Sequence, residues 1–272
     1  MRILISVDME GISGVAAWDD VRPGTPGYER FRRQMTLEAN AAVAGAFAAG
    51  AASVVVNDAH DGMHNLLYES LDGRAELISG TMKPLDMVEG GTGADAAVFI
   101  GYHAMAGAEG GVLAHTMSGS IANWYLGGVA VGETQINAAI LGQLGVPVVL
   151  VSGDAQLAQE VERTLPQARR VVVKWGTDEE TARSRPRDEV LRCLAEEVQQ
   201  AVAGAAAVEP IRVPGPVTIA IEFVRPAHAT AASLCPQIRR AGGRRVEITA
   251  ADILEAYRLS WVASILAHSV GA

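Results

Sequence analysis

Short apolar runs rich in β-branched residues alternate with longer segments of helical periodicity along the first part of the chain. Five such runs predict strands, at 3–7, 53–56, 76–78, 97–100 and 146–151. The early runs are apolar throughout, which is typical of strands covered on both faces. Three helices are predicted, each followed by a glycine or a proline, at 28–49, 133–144 and 154–165. This alternation predicts an α/β fold with a largely parallel sheet in three layers.

The last third of the chain has a more mixed pattern. Its predicted elements are strands at 170–174, 217–223 and 245–248 and helices at 187–208 and 250–268. Three prolines between positions 210 and 216 indicate a linker. We therefore expect a larger α/β domain at 1–165, which holds the candidate site described below, and a second, smaller α/β lobe at 166–272. This lobe is a candidate contributor to oligomerisation.

Composition and charge narrow the class of protein. Of the 272 residues, 49% are apolar and 19% are charged, which excludes a disordered chain because there is enough apolar area to form a core. The net charge is −9, and it is uneven: residues 1–154 contain 17 acids and 7 bases, and the rest contain 14 acids and 15 bases. An acidic chain argues against nucleic acid or an anionic membrane as partner. Between Lys83 and Arg163 there is no base, so carboxylates there need water or another cation.

The two cysteines and the start of the chain bear on its compartment. Cys193 and Cys235 form neither a CxxC pair nor a disulfide framework. The first residues lack the apolar core and cleavage site of a secretory signal. Long uncharged stretches, at 39–57 and 134–153, are interrupted by polar residues, unlike the ~20 apolar residues of a membrane span. We expect a cytoplasmic globular protein without a membrane partner.

Chemically active side chains follow three of the predicted strands. Asp8 and Glu10 follow the first strand, His60 the second and His103 the fourth. Ligand sites in parallel sheets form at the carboxyl ends of the strands, and this residue set is typical of a divalent-metal site. Period-2 alternation puts both carboxylates on one side of an extended segment. With no base nearby, they would repel each other unless a cation lies between them.

Each of these residues also has a purely structural interpretation. The two acids could be exposed or could cap a helix, and a lone histidine is more often structural than a ligand. Two histidines at matching strand ends, facing a carboxylate pair, favour the metal site. His64 is four residues after His60, as in zinc proteases, but HDGMH is not HExxH. Asp61-Gly62 predicts a turn there, so we leave His64 out of the ligand set.

Two further residues stand out in the region without bases. Glu133 is the only formal charge from 110 to 153 and is predicted to open a helix. It could be a carboxylate stabilised by the helix N-terminus, or it could be a fifth ligand, which the missing counter-charge favours. His115 follows a glycine-rich loop and is a candidate proton shuttle or electrophile beside the metal. Neither a P-loop nor a GxSxG elbow is present, and a dinucleotide site is not expected.

The chain resembles the DppA-type zinc D-aminopeptidases, a family historically also labelled dipeptide transport proteins. The opening motif SVDMEGISG carries the most specific part of the resemblance. The matching segments run through nearly the whole chain in the same order, at 6–14, 56–60, 77–80, 83–84, 87–90, 101–104, 115–117, 131–133, 221–223 and 252–257.

The resemblance implies a dinuclear zinc aminopeptidase that acts on short peptides with an N-terminal D-residue. It implies two zinc ions per subunit, with Asp8 bridging both. The implied ligands are Asp8, Glu10, His60, His103 and Glu133, and the implied catalytic residue is His115. It further implies a homo-oligomeric, decamer-like ring whose sites face an internal chamber.

Two other functions remain open at the level of sequence. One is a non-catalytic peptide-binding protein of dipeptide uptake. The other is a different metal-dependent hydrolase on the same residues, such as a phosphoesterase. The absence of bases between Lys83 and Arg163 disfavours the phosphoesterase, because phosphate sites usually contain basic residues.

Overall fold

The computed structural model describes residues 1–271. The strands are β1 (Arg2–Val7), β2 (Ser53–Asp58), β3 (Glu76–Ile78), β4 (Ala96–Tyr102), β5 (Ile121–Leu126), β6 (Val129–Ala130), β7 (Val148–Asp154), β8 (Arg169–Asp178), β9 (Thr181–Ser184), β10 (Val217–Phe223), β11 (Arg239–Arg240) and β12 (Arg245–Ala250). The helices are α1 (Pro26–Ala48), α2 (Glu133–Gln143), α3 (Ala155–Thr164), α4 (Arg187–Ala203), α5 (Pro226–Ala232) and α6 (Ile253–His268).

Seven strands form the larger sheet, in the order β3-β2-β1-β4-β7-β8-β9. All neighbours pair in parallel except β8 and β9, which are antiparallel. The strand order reverses between β1 and β4, since the chain runs outward from β1 through β2 and from β4 through β7. Such a switch point leaves a crevice at the carboxyl ends of the two central strands. The predicted α/β class with a largely parallel sheet is confirmed.

The larger sheet is buried on both faces, and its central strands β1 and β4 are mostly apolar, with Arg2 and Ser6 as the polar residues of β1. On one face Ile5 and Val56 pack with Phe31 and Met35 of α1 and with Leu194 of α4. On the other face Leu4 and Phe99 pack with Ile136 of α2 and Val161 of α3. Helices on both faces of a parallel sheet give the three predicted layers.

A second sheet is smaller and antiparallel, in the order β11-β12-β10-β5-β6. Its apolar face, which includes Ile219 and Ile248, packs with Ala256 and Tyr257 of α6. The chain passes between the sheets more than once: β5 and β6 precede residue 165 but lie in the small sheet. Conversely, β8, β9 and α4 follow residue 165 but complete the large sheet and its helical layer. The expected boundary at 165 therefore does not coincide with the division between the sheets.

Several predicted bounds and elements differ from the structure. The helix predicted at 187–208 ends at Ala203, because Gly204 interrupts it before a short 3-10 turn at Ala205–Ala207. The last helix begins at Ile253 rather than 250, since β12 extends to Ala250 and Asp252 caps the helix by accepting from the Glu255 amide. Five elements are not predicted from the sequence: β5, β6, β9, β11 and α5. Within residues 1–271, no helix combines the length and the apolar character that crossing a membrane requires.

Candidate metal centre

Five predicted ligands come together at the switch point of the large sheet. Asp8 and Glu10 follow β1, His60 follows β2, His103 follows β4, and Glu133 is the first residue of α2. All five are buried, with between 2% and 6% of each residue exposed. Chain direction explains the convergence, because parallel strands bring their carboxyl ends to one edge of the sheet.

Asp8 lies between the two histidines. Its Oδ1 is 3.4 Å from His60 Nδ1, and its Oδ2 is 3.5 Å from His103 Nε2. Glu10 Oε2 lies 2.9 Å from the same nitrogen of His60, and Glu133 Oε2 lies 3.4 Å from that of His103. The cluster thus has two halves, Glu10 with His60 and Glu133 with His103, and Asp8 presents one oxygen to each.

Backbone carbonyls hold both histidines from behind. His60 Nε2 is 2.9 Å from the Val21 carbonyl oxygen, and His103 Nδ1 is 3.0 Å from that of Ala104. Because a carbonyl only accepts, these nitrogens carry the proton, an assignment made from the hydrogen-bond network. In the neutral rings the other nitrogen therefore faces carboxylate oxygens with its lone pair. Metal-binding histidines have this arrangement, in which a carbonyl fixes the tautomer.

Within the described residues, some buried polar atoms at the centre of the cluster have no hydrogen-bond partner. They are Asp8 Oδ2, Glu10 Oε2 and His103 Nε2. Glu10 Oε2 is one of them, because the His60 Nδ1 that it faces carries no proton in the neutral ring. Uncompensated buried polar atoms are costly, and oxygen and imidazole ligands together suit zinc. Two overlapping sets of ligand atoms in the described residues are compact enough for an ion, Asp8 with Glu10 and His103, and Glu133 with His103 and His115. The donor set therefore fits divalent metal on observations that are independent of the resemblance.

The electrostatics of the cluster also require positive charge. Burial raises the pKa of Asp8 to about 7, and repulsion from Glu10 adds to this rise. Burial alone would lower the pKa values of His60 and His103, but the adjacent carboxylates raise them well above the usual range. Protons or metal ions can supply the missing charge, and metal binding would displace the protons.

Glu133 has the helix N-terminal position that the sequence predicted, and it also faces His103. Its Oε1 accepts from the Met117 amide at 2.6 Å, while its Oε2 is the oxygen near His103. Burial would raise the pKa of this carboxyl, but His103 and His115 hold it below its usual value. The helix-terminus and ligand interpretations are therefore compatible.

His115 lies against the cluster. Its ring stacks on that of His103, with centroids 4.1 Å apart and planes at 8°. Its Nδ1 lies 2.9 Å from the Leu113 carbonyl, and its Nε2 lies 3.7 Å from Glu133 Oε1. Burial, followed by the charge of His103, lowers its pKa. A neutral imidazole with an available nitrogen therefore stands beside the candidate metal ligands.

A cavity of about 620 Å³ opens in front of the cluster. Asp8, Glu10, His60, His115 and Glu133 form part of its wall. Loops of the large sheet form one side and helix α6 the other. His64, which the sequence places outside the ligand set, is exposed, and its Nδ1 lies 2.7 Å from the nearby Gly62 carbonyl oxygen.

Three residues that shape the site are not predicted from the sequence. The Trp18 ring packs edge to face with the His115 ring, with centroids 5.5 Å apart, and Asp86 lines the cavity. Lys174 corrects the expectation that no base lies near Asp8 and Glu10. It is fully buried, and its Nζ donates to the Glu10 carbonyl and to those of Ile12 and Val15. Lys174 belongs to strand β8, which is distant in sequence from Asp8 and Glu10, so the spacing of residues along the chain does not predict this contact.

An α/β sheet with a buried carboxylate and imidazole cluster at its switch point, in front of an open cavity, is typical of a metallohydrolase. The sequence profile of the D-aminopeptidase family, Peptidase M55, matches residues 1–262. The chain therefore belongs to the D-aminopeptidase family and is a peptidase, as the resemblance implied.

Two relatives agree with this assignment. A D-aminopeptidase of Bacillus subtilis (strain 168) is 38% identical over 269 residues, which cover 98% of each chain. The solved structure of the Zn-dependent D-aminopeptidase DppA from Bacillus subtilis, described as a self-compartmentalizing protease, is similar with a TM-score of 0.96. It is 37% identical in sequence, and the match covers 100% of both chains.

Proposed function

We propose that this protein is a zinc aminopeptidase that removes an N-terminal D-residue from short peptides. The observation that carries the proposal is the position of Asp8, with one oxygen toward the Glu10 and His60 half and the other toward the His103 and Glu133 half. A carboxylate in this position can bridge two ions.

Five residues would hold two zinc ions per subunit. Glu10 and His60 would bind one ion, His103 and Glu133 would bind the other, and Asp8 would bind both. The ligand set contains three carboxylates, whose charge of −3 is offset by the +4 of two zinc ions. The excess of ten acids over bases in residues 1–154 would fall to six. The ligand cluster itself, with two zinc ions bound, would carry a net charge of +1.

His115 would move a proton or stabilise the oxyanion during amide hydrolysis. Bound zinc supplies polarisation of the scissile carbonyl and lowers the pKa of water. The Nε2 of His115 is the free ring nitrogen, because Nδ1 faces the Leu113 carbonyl. From the cavity wall it can donate to a developing oxyanion or protonate the leaving amine. Its lowered pKa keeps it mostly neutral in the resting protein, so it would first take up a proton.

Assembly and location belong to the same proposal. We place the protein in the cytoplasm as a homo-oligomeric, decamer-like ring, to which the smaller lobe contributes contacts. Large apolar side chains on the surface support association, with Tyr68 78% exposed, Leu234 74% and Met82 70%. Both cysteines are unpaired in the structure, which suits a reducing compartment.

Metal analysis paired with a stereochemical assay tests the proposal. Purified protein should contain about two zinc ions per chain, and it should hydrolyse D-alanyl amide faster than L-alanyl amide. A chelator should abolish activity, and zinc should restore it. Zinc-replete protein that binds these amides without turnover would contradict the proposal, and so would cleavage of aryl phosphates alone.

A further inference from the structure

Asp86 is a buried carboxylate on the cavity wall that the proposed metal site does not use. It begins a short 3-10 turn, Asp86–Val88, which follows β3 in the chain. The residue is 3% exposed, yet it lines the same cavity as Asp8 and Glu133. A buried carboxylate carries a desolvation cost, so its presence on this wall calls for a partner.

The turn that carries Asp86 is held firmly. Its backbone is in the left-handed region, with φ of 51°, which aspartate and asparagine tolerate better than most residues. The Asn57 side-chain amide donates to the Asp86 carbonyl at 3.3 Å and to that of Met87 at 2.7 Å. The Ser6 hydroxyl also donates to the Met87 carbonyl, at 2.5 Å. These bonds fix the turn to the ends of β1 and β2, beside the metal ligands.

Only one oxygen of the Asp86 carboxylate is hydrogen-bonded within the described residues. The Tyr257 hydroxyl, from α6, donates to Oδ2 at 2.5 Å. The nearby ammonium of Lys83 instead donates to Asn57 Oδ1 at 2.8 Å and to the Asp58 carbonyl at 2.5 Å. Burial raises the pKa of Asp86 to about 6, and the Tyr257 bond opposes this rise. The carboxylate is therefore largely anionic at neutral pH, with Oδ1 left for a ligand.

We propose that Asp86 binds the α-ammonium group of the substrate's N-terminal residue. This inference rests on the proposed function, in which the other three buried carboxylates of the cavity wall are zinc ligands. An aminopeptidase has to select a free amine, and the ammonium needs an anionic partner that the metal has not taken. A charge-assisted hydrogen bond in a buried site is strong and directional. Tyr257 is then a positioning residue, which orients the carboxylate through Oδ2.

Two substrates that differ only at this group provide the test. D-Alanine p-nitroanilide carries the ammonium, and D-lactic acid p-nitroanilide carries a neutral hydroxyl in its place. The zinc-loaded wild type should prefer the first by kcat/KM. Asp86→Asn keeps the shape, an oxygen acceptor and tolerance of positive φ, but removes the charge. It should lower kcat/KM for the alanyl substrate about 10- to 100-fold and change the lactyl substrate little.

Asp61→Asn is a matched control. Asp61 lines the same cavity and also has positive φ, 45°, but it is exposed. Its variant should keep the wild-type preference for the alanyl substrate. Tyr257→Phe retains the charge of Asp86 and should keep most of that preference, while KM for the alanyl substrate rises a few-fold. This second variant keeps the test open should Asp86→Asn fold poorly.

The outcomes separate this inference from the function on which it rests. An Asp86→Asn protein with full zinc content and an unchanged preference for the amine would overturn the inference alone. Equal losses on both substrates, loss of zinc, or the same effect from Asp61→Asn would also overturn it. A zinc-loaded wild type that cleaves neither anilide and no D-alanyl amide would instead overturn the proposed function.

Discussion

His115 stacks face to face on His103, with ring centroids 4.1 Å apart, and it also lines the cavity. In our proposal His103 binds zinc and His115 does not, so the stacking places His115 directly beside a metal ligand. Repulsion between the rings disfavours a proton on His115 while His103 is charged. The contact therefore couples the protonation of the proposed catalytic residue to the state of a proposed ligand.

Replacing His115 should slow catalysis and spare the metal. His115→Phe keeps a ring to stack on His103 but removes Nε2, and His115→Ala removes both. If the nitrogen acts on the reaction, both variants should keep the zinc content of the wild type and lose about 10²- to 10⁴-fold in kcat. Steady-state kinetics with D-alanyl amide, beside metal analysis, provide the measurement. Recovery of activity in the phenylalanine variant would reduce His115 to a packing role.

Zinc stoichiometry should separate Asp8 from Glu10. Asp8 faces both halves of the cluster and Glu10 only one, so removing their charges should have unequal effects. Asp8→Asn should lose both ions and all activity, whereas Glu10→Gln should retain about one ion per chain, in the half with His103. Dialysis against a weak chelator followed by metal analysis would show the difference. Two ions retained by Asp8→Asn would rule out the bridge.

The spatial clustering of the five candidate ligands could be predicted because each of them lies next to a strongly patterned element. Asp8 and His103 follow strands that are mostly apolar, and parallel strands bring the residues after them to one edge of the sheet. Glu133 is a candidate ligand because it is the only charged residue in a stretch of 44 residues. Each of these signals is local in the sequence, and the parallel topology of the sheet then brings the residues into contact.

What the sequence did not predict depends on long-range packing. Lys174 reaches the loop after β1 from a strand more than 150 residues away, and Tyr257 reaches Asp86 across 171 residues. Strand β5 was not predicted, and the strand β10 with which it pairs in the second sheet lies far along the chain. The domain boundary predicted at 165 depends on the order of elements along the chain, and that order does not show which sheet each strand joins.

The stability of the protein should depend on pH through Glu160, which supports the loop after His103. Its carboxylate accepts from the Met105 amide at 3.1 Å, and burial raises its pKa to about 7. Because the pKa is higher in the folded state than in the unfolded state, the protonated carboxyl stabilises the folded protein. This stabilisation is fully present below the unfolded pKa of about 4.3. It is lost as pH rises through about 7, because the folded state must then bury a charge.

Glu160→Gln should remove that dependence while keeping an oxygen for the Met105 amide. Compared with the wild type, it should gain about 1–3 kcal/mol in unfolding free energy at pH 8 and much less at pH 5. Denaturant melts of both proteins at each pH would show it. Glu162→Gln, from the exposed side of the same helix, should change stability by less than about 0.5 kcal/mol at either pH. An equal gain for Glu160→Gln at both values would refute the assignment.

Lys174 should stabilise the loop that carries Asp8 and Glu10. Its ammonium donates to the carbonyls of Glu10, Ile12 and Val15, and it is fully buried beneath them. Lys174→Met keeps the length and apolar stem of the side chain but leaves three carbonyls without this donor. We expect a loss of about 2–4 kcal/mol in unfolding free energy and weaker zinc binding, because Glu10 is no longer held in place.

Arg170→Met on the same strand removes an exposed base and should cost less than about 1 kcal/mol. Denaturant melts and zinc titration of both variants would test this, and wild-type zinc affinity in Lys174→Met would show that the loop holds its shape without the lysine.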